Sequence, residues 1–146
     1  MTVLRKLVRA ETRRVDPEKG TVEAIVSTED IDRQGDIIRQ SGWVLDGFLV
    51  HPVLLSSHDY GSLLSIIGQW DSMVVMGKKL VGVARYFIQA GNQEADWGFE
   101  LAKRGLAAYS VGFIPDASKA RRIDADGNVI EMEQGNDGVW FMGGRE

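Results

Sequence analysis

The stretch Ile66-Ile-Gly-Gln-Trp-Asp-Ser-Met-Val-Val75, followed by Met76-Gly-Lys-Lys79 and Leu80-Val-Gly-Val-Ala-Arg-Tyr-Phe-Ile88, sets the fold class. It reads as two long strands about a tight turn. In the returning strand Leu80, Gly82 and Ala84 alternate with Val81, Val83 and Arg85, the period of two in which successive side chains point to opposite faces of a sheet. Gly77 with two lysines supplies the turn. Upstream, residues 3–14 and 21–28 read as a second strand pair around Asp16-Pro-Glu-Lys-Gly20, where proline presets one dihedral and glycine permits the other. Val22, Ala24 and Val26 alternate there with Glu23 and Ser27, with Ile25 blurring the pattern.

Between these pairs, residues 28–35 form an acidic loop, and Asp36-Ile-Ile38 restarts an extended segment toward Ser41 and Gly42. Residues 43–50 fit a short helix or a core-packed loop equally well. His51-Pro52 ends them, because the residue before proline is pushed toward extended backbone. Val53-Leu-Leu55 is then a compact strand that delivers Ser56, Ser57, His58, Asp59 and Tyr60 at its end. Downstream of the long hairpin, residues 92–104 form the one clear helix. Asn92 stands as N-cap, Glu94 and Asp96 lie in the first turn, Lys103 and Arg104 in the last, and Gly105 just beyond. Its stripe is Ala95, Phe99 and Ala102. The helix feeds Leu106-Ala-Ala-Tyr-Ser-Val-Gly-Phe-Ile-Pro115, a buried strand with one hydroxyl, Ser110, in an apolar run. Ala125-Asp-Gly127 then marks a last hairpin. About seven or eight strands and one or two helices predict a mainly β domain, closed or nearly closed as a barrel with the helix packed against it.

Composition narrows the function. A chain of 146 residues is one ordinary domain, large enough for a core of its own. With 44% hydrophobic and 26% charged residues and a net charge of -4, it lacks the basic surface of a nucleic-acid binder. Without cysteine, disulfides, thiolate catalysis and Cys-based zinc sites are excluded. The N-terminal residues scatter charge among apolar positions, so neither a signal peptide nor a membrane span is expected. Asp30, Asp32 and Gln34 before Gly35 imitate the start of an EF-hand loop, with Asp36 close by. The position requiring a bidentate glutamate is instead Ser41, so a solvated turn is expected rather than a metal site.

A serine hydroxyl needs a base within hydrogen-bond reach to act as a nucleophile, usually histidine. The chain offers two, His51 and His58. His51 adjoins proline and an apolar stretch, the setting of a structural or exposed residue. His58, in a polar cluster at a strand end, is better placed to serve Ser110. A carboxylate or a second histidine should orient His58, and Glu131 and Glu133, which share one face of the final hairpin, are the candidates within this chain. Glutamates that alternate with apolar residues also describe the wet face of an ordinary strand. Oxyanion stabilisation would come from backbone N–H groups near Gly112 or from Arg121 and Arg122, although paired arginines are commonly a solvated edge.

Three stretches carry a resemblance: Val22-Glu-Ala-Ile-Val-Ser-Thr-Glu-Asp-Ile-Asp-Arg-Gln-Gly-Asp-Ile-Ile38, His51-Pro-Val-Leu-Leu-Ser-Ser-His-Asp59 and Gly105-Leu-Ala-Ala-Tyr-Ser-Val-Gly-Phe113. In this order they resemble the prohead protease family of tailed phages, distantly similar to herpesvirus assemblin. The resemblance implies His58 as general base and Ser110 as nucleophile of a serine endopeptidase without cofactor. Its implied substrates are scaffold or delta-domain segments of the capsid protein, and the protease itself. It further implies an assemblin-like barrel, a site of action inside proheads assembling in the host cytoplasm, and a homodimer by analogy. Members continue into a further strand and a proline-rich segment, so a C-terminal truncation is expected, with the orienting acid possible beyond Glu146. The rival reading is a noncatalytic β-domain that binds scaffold as an assembly module. A calcium-binding module built on Asp30, Asp32 and Asp36 is a third.

Overall fold

The computed structural model describes residues 4–8, 11–31 and 35–130. Its strands are β1 (Leu4–Val8), β2 (Glu11–Asp16), β3 (Thr21–Thr28), β4 (Val53–Leu55), β5 (Ile66–Met76), β6 (Lys79–Tyr86), β7 (Tyr109–Phe113), β8 (Arg122–Ile123) and β9 (Val129–Ile130). Among the described residues two α-helices join them, α1 (Asp46–Val50) and α2 (Gln93–Lys103). By contacts the chain divides into two compact units, one of Lys6–Glu29 with Ile38–Val111, the other of Met1–Arg5, Asp30–Ile37 and Gly112–Glu146.

The first unit is built on a five-stranded antiparallel sheet in the order β2-β3-β6-β5-β4. Hairpin β5–β6 is its spine, paired from Gly68↔Tyr86 to Met76↔Lys79. Gly77 takes φ 61 in the turn, the left-handed residue that a two-residue hairpin requires. Trp70 opposes Ala84, which opposes Val22; Met73 opposes Gly82, which opposes Ala24. These side chains make one buried face, with the ring of Trp70 lying over Gly82 so closely that a Cβ there would come within 2.6 Å of it. α2 covers this face with Ala95, Phe99 and Ala102, at i, i+4 and i+7, all buried. Burying Phe99 alone stabilises by about 1.5–3 kcal/mol.

The expected barrel is not present. Among the described residues the sheet is open, with β2 and β4 at its two edges. Strand number does not bring closure; tilt and stagger must also bring the edges together. Here the edge strand β4 is only three residues long, and α2 already covers the buried face. The strand expected over residues 3–14 is two strands placed in different sheets. β2 pairs with β3, and β1 pairs with β7. The extended segment expected from Asp36 forms no strand; a 3-10 turn follows at Gln40–Gly42.

That turn closes a polar cluster. Gln40 is fully buried, and its Nε2 donates to Ser27 Oγ, Thr28 O and Ile38 O at 3.0–3.1 Å. Its Oε1 accepts from Trp43 Nε1 at 2.9 Å, and its backbone N–H donates to Glu29 Oε1 at 3.0 Å. The Gln40 amide, then desolvation acting the opposite way, then Arg39, set the Glu29 carboxyl below its ordinary range on balance. Within the second unit, β8 and β9 form a short hairpin, with Arg122 opposite Ile130. Asp124 holds its turn by accepting from the N–H groups of Asp126 and Asn128, both at 2.9 Å.

Candidate active site

β4 is secured at its start by Trp70 N–H donating to Pro52 O at 2.7 Å, and it runs antiparallel to β5. It ends in a 3-10 turn, Ser56–His58. Ser57 has φ 51 and His58 φ 54, two successive non-glycine residues in the left-handed region. Asp59 N–H closes the turn onto Ser56 O at 2.9 Å. His58 is half-buried.

The residues after His58 are fastened one by one. Asp59 Oδ1 accepts from Gly61 N–H at 2.7 Å, an Asx-turn, and its Oδ2 accepts from Ser65 Oγ at 2.7 Å. Those bonds, Ser65 first, hold the Asp59 carboxyl below its usual range. Ser62 Oγ caps the next 3-10 turn by accepting from Leu64 N–H at 3.2 Å. α2 adds two ties: Asn92 Nδ2 donates to Leu64 O at 2.8 Å, and Ser56 Oγ donates to Glu94 Oε1 at 3.1 Å. Asn92 Oδ1 also accepts from Glu94 N–H, so one side chain caps the helix and ties down the loop. Beside the loop lies a cavity of about 220 Å³, lined among others by Val53, Leu55, Asp59, Tyr60, Leu63 and Ile66.

Ser110 is the second residue of β7. Its neighbour Tyr109 is buried, with its hydroxyl 2.8 Å from that of Tyr86 and its ring edge-on to Trp70 at a centroid distance of 5.4 Å. Burial pushes both phenols above their ordinary range, and the proximity of Tyr86 raises Tyr109 further. Neither is a phenolate at neutral pH, so neither competes with histidine as a base. Ser110 and His58 belong to the same compact unit; β4, which leads to His58, pairs with β5, and Tyr109 beside Ser110 meets Trp70 of β5 edge-on.

His51 stands exposed before β4, its N–H donating to Phe48 O at 3.2 Å. Glu131 and Glu133 lie outside the described residues. Gly112 is exposed on β7, while Arg121 Nη1 donates to Ser118 O and Ala120 O, a local structural use of that guanidinium. Of the acidic loop, Asp32 and Gln34 fall outside the described residues. Among the described residues no three His, Asp or Glu side chains group as a metal site. Among them too, no helix is long and apolar enough to cross a membrane.

Residue reading singled out the histidine and the serine and missed what fastens the loop. The one available signal was Asp59-Tyr-Gly61, the spacing of an Asx-turn. Glu94 reaches the loop only through tertiary structure, and Ser65 closes on Asp59 from the loop's far end. No protein-family model, curated protein or solved structure matches the chain.

Proposed function

We propose that the chain is a serine endopeptidase with Ser110 as nucleophile and His58 as general base. Its proposed substrates are the scaffold or delta-domain segments of a phage capsid protein, together with the protease itself, during prohead maturation. The observation that carries the reading is the backbone at His58: left-handed, fastened on both sides, at the end of a strand. Strained conformations outside glycine persist only where surrounding contacts enforce them, and they cluster at functional sites. The three motifs and their order supply the reaction class.

In this reading His58 takes the Ser110 proton as Oγ attacks the scissile carbonyl. The same imidazole then protonates the departing amine, and afterwards activates the water that releases the acyl group. The oxyanion is stabilised by backbone N–H groups near Gly112. Asp59 is the carboxylate nearest His58 in sequence, but its oxygens serve Gly61 and Ser65. Glu131 and Glu133 are the in-chain candidates expected from the sequence for orienting the ring.

One observation favours the noncatalytic assembly module. Tyr60, Leu63 and Leu64, next to the histidine loop, are 78%, 86% and 64% exposed, an apolar surface suited to holding a partner segment. A protease also needs such a surface for its substrate. Labelling with a fluorophosphonate probe separates the two. The enzyme reading expects wild-type chain to be labelled and to cleave itself, with both lost in Ser110→Ala and strongly reduced in His58→Ala. Labelling that survives Ser110→Ala removes the nucleophile, and a wild-type chain that takes no label favours the assembly module.

A further inference from the structure

The loop that carries His58 is held in a shape its residues do not favour. Each left-handed non-glycine residue costs roughly 1–2 kcal/mol, and Ser57 and His58 adopt that conformation in succession. Without external fastening the pair would relax to right-handed or extended backbone, and the imidazole would swing with it. Upstream the turn is held by Ser56 Oγ on Glu94. Downstream, the fastening next to His58 in the chain is the side chain of Asp59. Its Oδ1 fixes the following Gly61 N–H, and its Oδ2 reaches Ser65 Oγ, each at 2.7 Å. Ser65 is 3% exposed and immediately precedes β5, the strand that pairs with both β4 and β6. Asp59, the residue after His58, is thus moored to the root of β5, an interior strand of the sheet.

We propose that Asp59 is a positioning residue for His58, its carboxylate bridging Gly61 N–H and Ser65 Oγ to keep the histidine in the left-handed conformation from which it serves Ser110. This rests on the reading of His58 as the general base. Both Asp59 oxygens are engaged with the loop, one with Gly61 N–H and one with Ser65 Oγ. The requirement is therefore geometric. Asparagine can accept from Gly61 with its carbonyl and donate to a Ser65 hydroxyl turned to receive it, whereas alanine can do neither.

The test compares wild-type chain, Asp59→Ala and Asp59→Asn by two readouts. The first is NMR of His58, where a strong amide-to-α-proton contact within the residue marks positive φ and the ring resonances report the imidazole's surroundings. The second is the rate of Ser110 modification by a fluorophosphonate. Asp59→Ala is expected to weaken the His58 contact, displace its ring resonances and slow labelling about 100-fold, as misplacement of a reacting group by about 1 Å does. Asp59→Asn is expected to rescue most of the lost rate and restore the His58 signature. Unchanged His58 signals in a folded Asp59→Ala overturn the proposal. An asparagine variant as slow as alanine overturns it too, because charge rather than geometry would then be what matters. If Asp59→Ala does not fold, Ser65→Ala removes one of the two moorings and bears the same comparison. A wild-type chain that takes no label defeats the enzyme reading alone, and the NMR comparison still decides what holds His58.

Discussion

Strand β5 borders two regions built on opposite principles. On one side hairpin β5–β6 follows the ladder rules: alternating side chains, a glycine where the turn needs positive φ, and a face buried under α2. On the other side, the loop from Ser56 to Ser65 has positive φ on serine and histidine, and is held by side-chain hydrogen bonds. The hairpin draws its stability from apolar burial, which is large and non-directional. The loop draws its shape from a few directional bonds, each worth about 0.5–1.5 kcal/mol net. Stability therefore resides in one region and placement in the other, and substitutions should separate the two.

Trp70→Ala attacks the first region. It removes the ring over Gly82 and against Tyr109, and should cost about 3–5 kcal/mol, read as a lower urea midpoint. Any loss of Ser110 labelling in this variant should track the unfolded fraction. A variant stable enough to fold yet unlabelled would show that placement also depends on this core. Tyr109→Phe comes next. It leaves the buried Tyr86 hydroxyl without its partner and should cost about 1–3 kcal/mol, while the double replacement with Tyr86→Phe should cost less than the sum of the two. Additive values would mean that the 2.8 Å contact carries no coupling.

Ser57→Gly tests the loop from the other direction. Glycine accepts φ 51 without steric penalty, so this variant should gain about 0.5–1 kcal/mol, and a loss would show that the serine side chain outweighs the backbone strain. The smallest effect is acid sensitivity. The Asp59 carboxyl titrates below its unfolded value of about 3.9, so its contribution is complete above that value and is lost as the pH falls through the lower folded one. Glu29, Glu100, Asp116 and Asp124 are shifted the same way. Wild-type urea midpoints should therefore fall below about pH 4, and Asp59→Asn should make that fall shallower.

The same division explains what could be read from residues alone. The long hairpin and α2 were legible because their signals are local: period two about Gly77, and Asn92 capping through Glu94 N–H. The division of residues 3–14 into β1 and β2 was not, since no glycine or proline marks it. Barrel closure was misjudged because strand count says nothing about which edges meet. Gln40, a buried amide whose partners come from Ser27, Thr28, Ile38 and Trp43, had the sequence context of a loop glutamine. In the candidate site His58 and Ser110 stood out by residue type. The left-handed backbone did not, because serine does not announce it and a histidine, though enriched there, adopts it only in a minority of cases.

Whether His58 and Ser110 act on each other can be read by following the His58 imidazole resonances by NMR while Ser110 is phosphonylated. Modification at Ser110 is expected to shift these resonances and displace their titration, and Ser110→Ala to abolish both changes. A Ser110 that is modified while the His58 signals and titration stay where they were would contradict the pairing of His58 with Ser110.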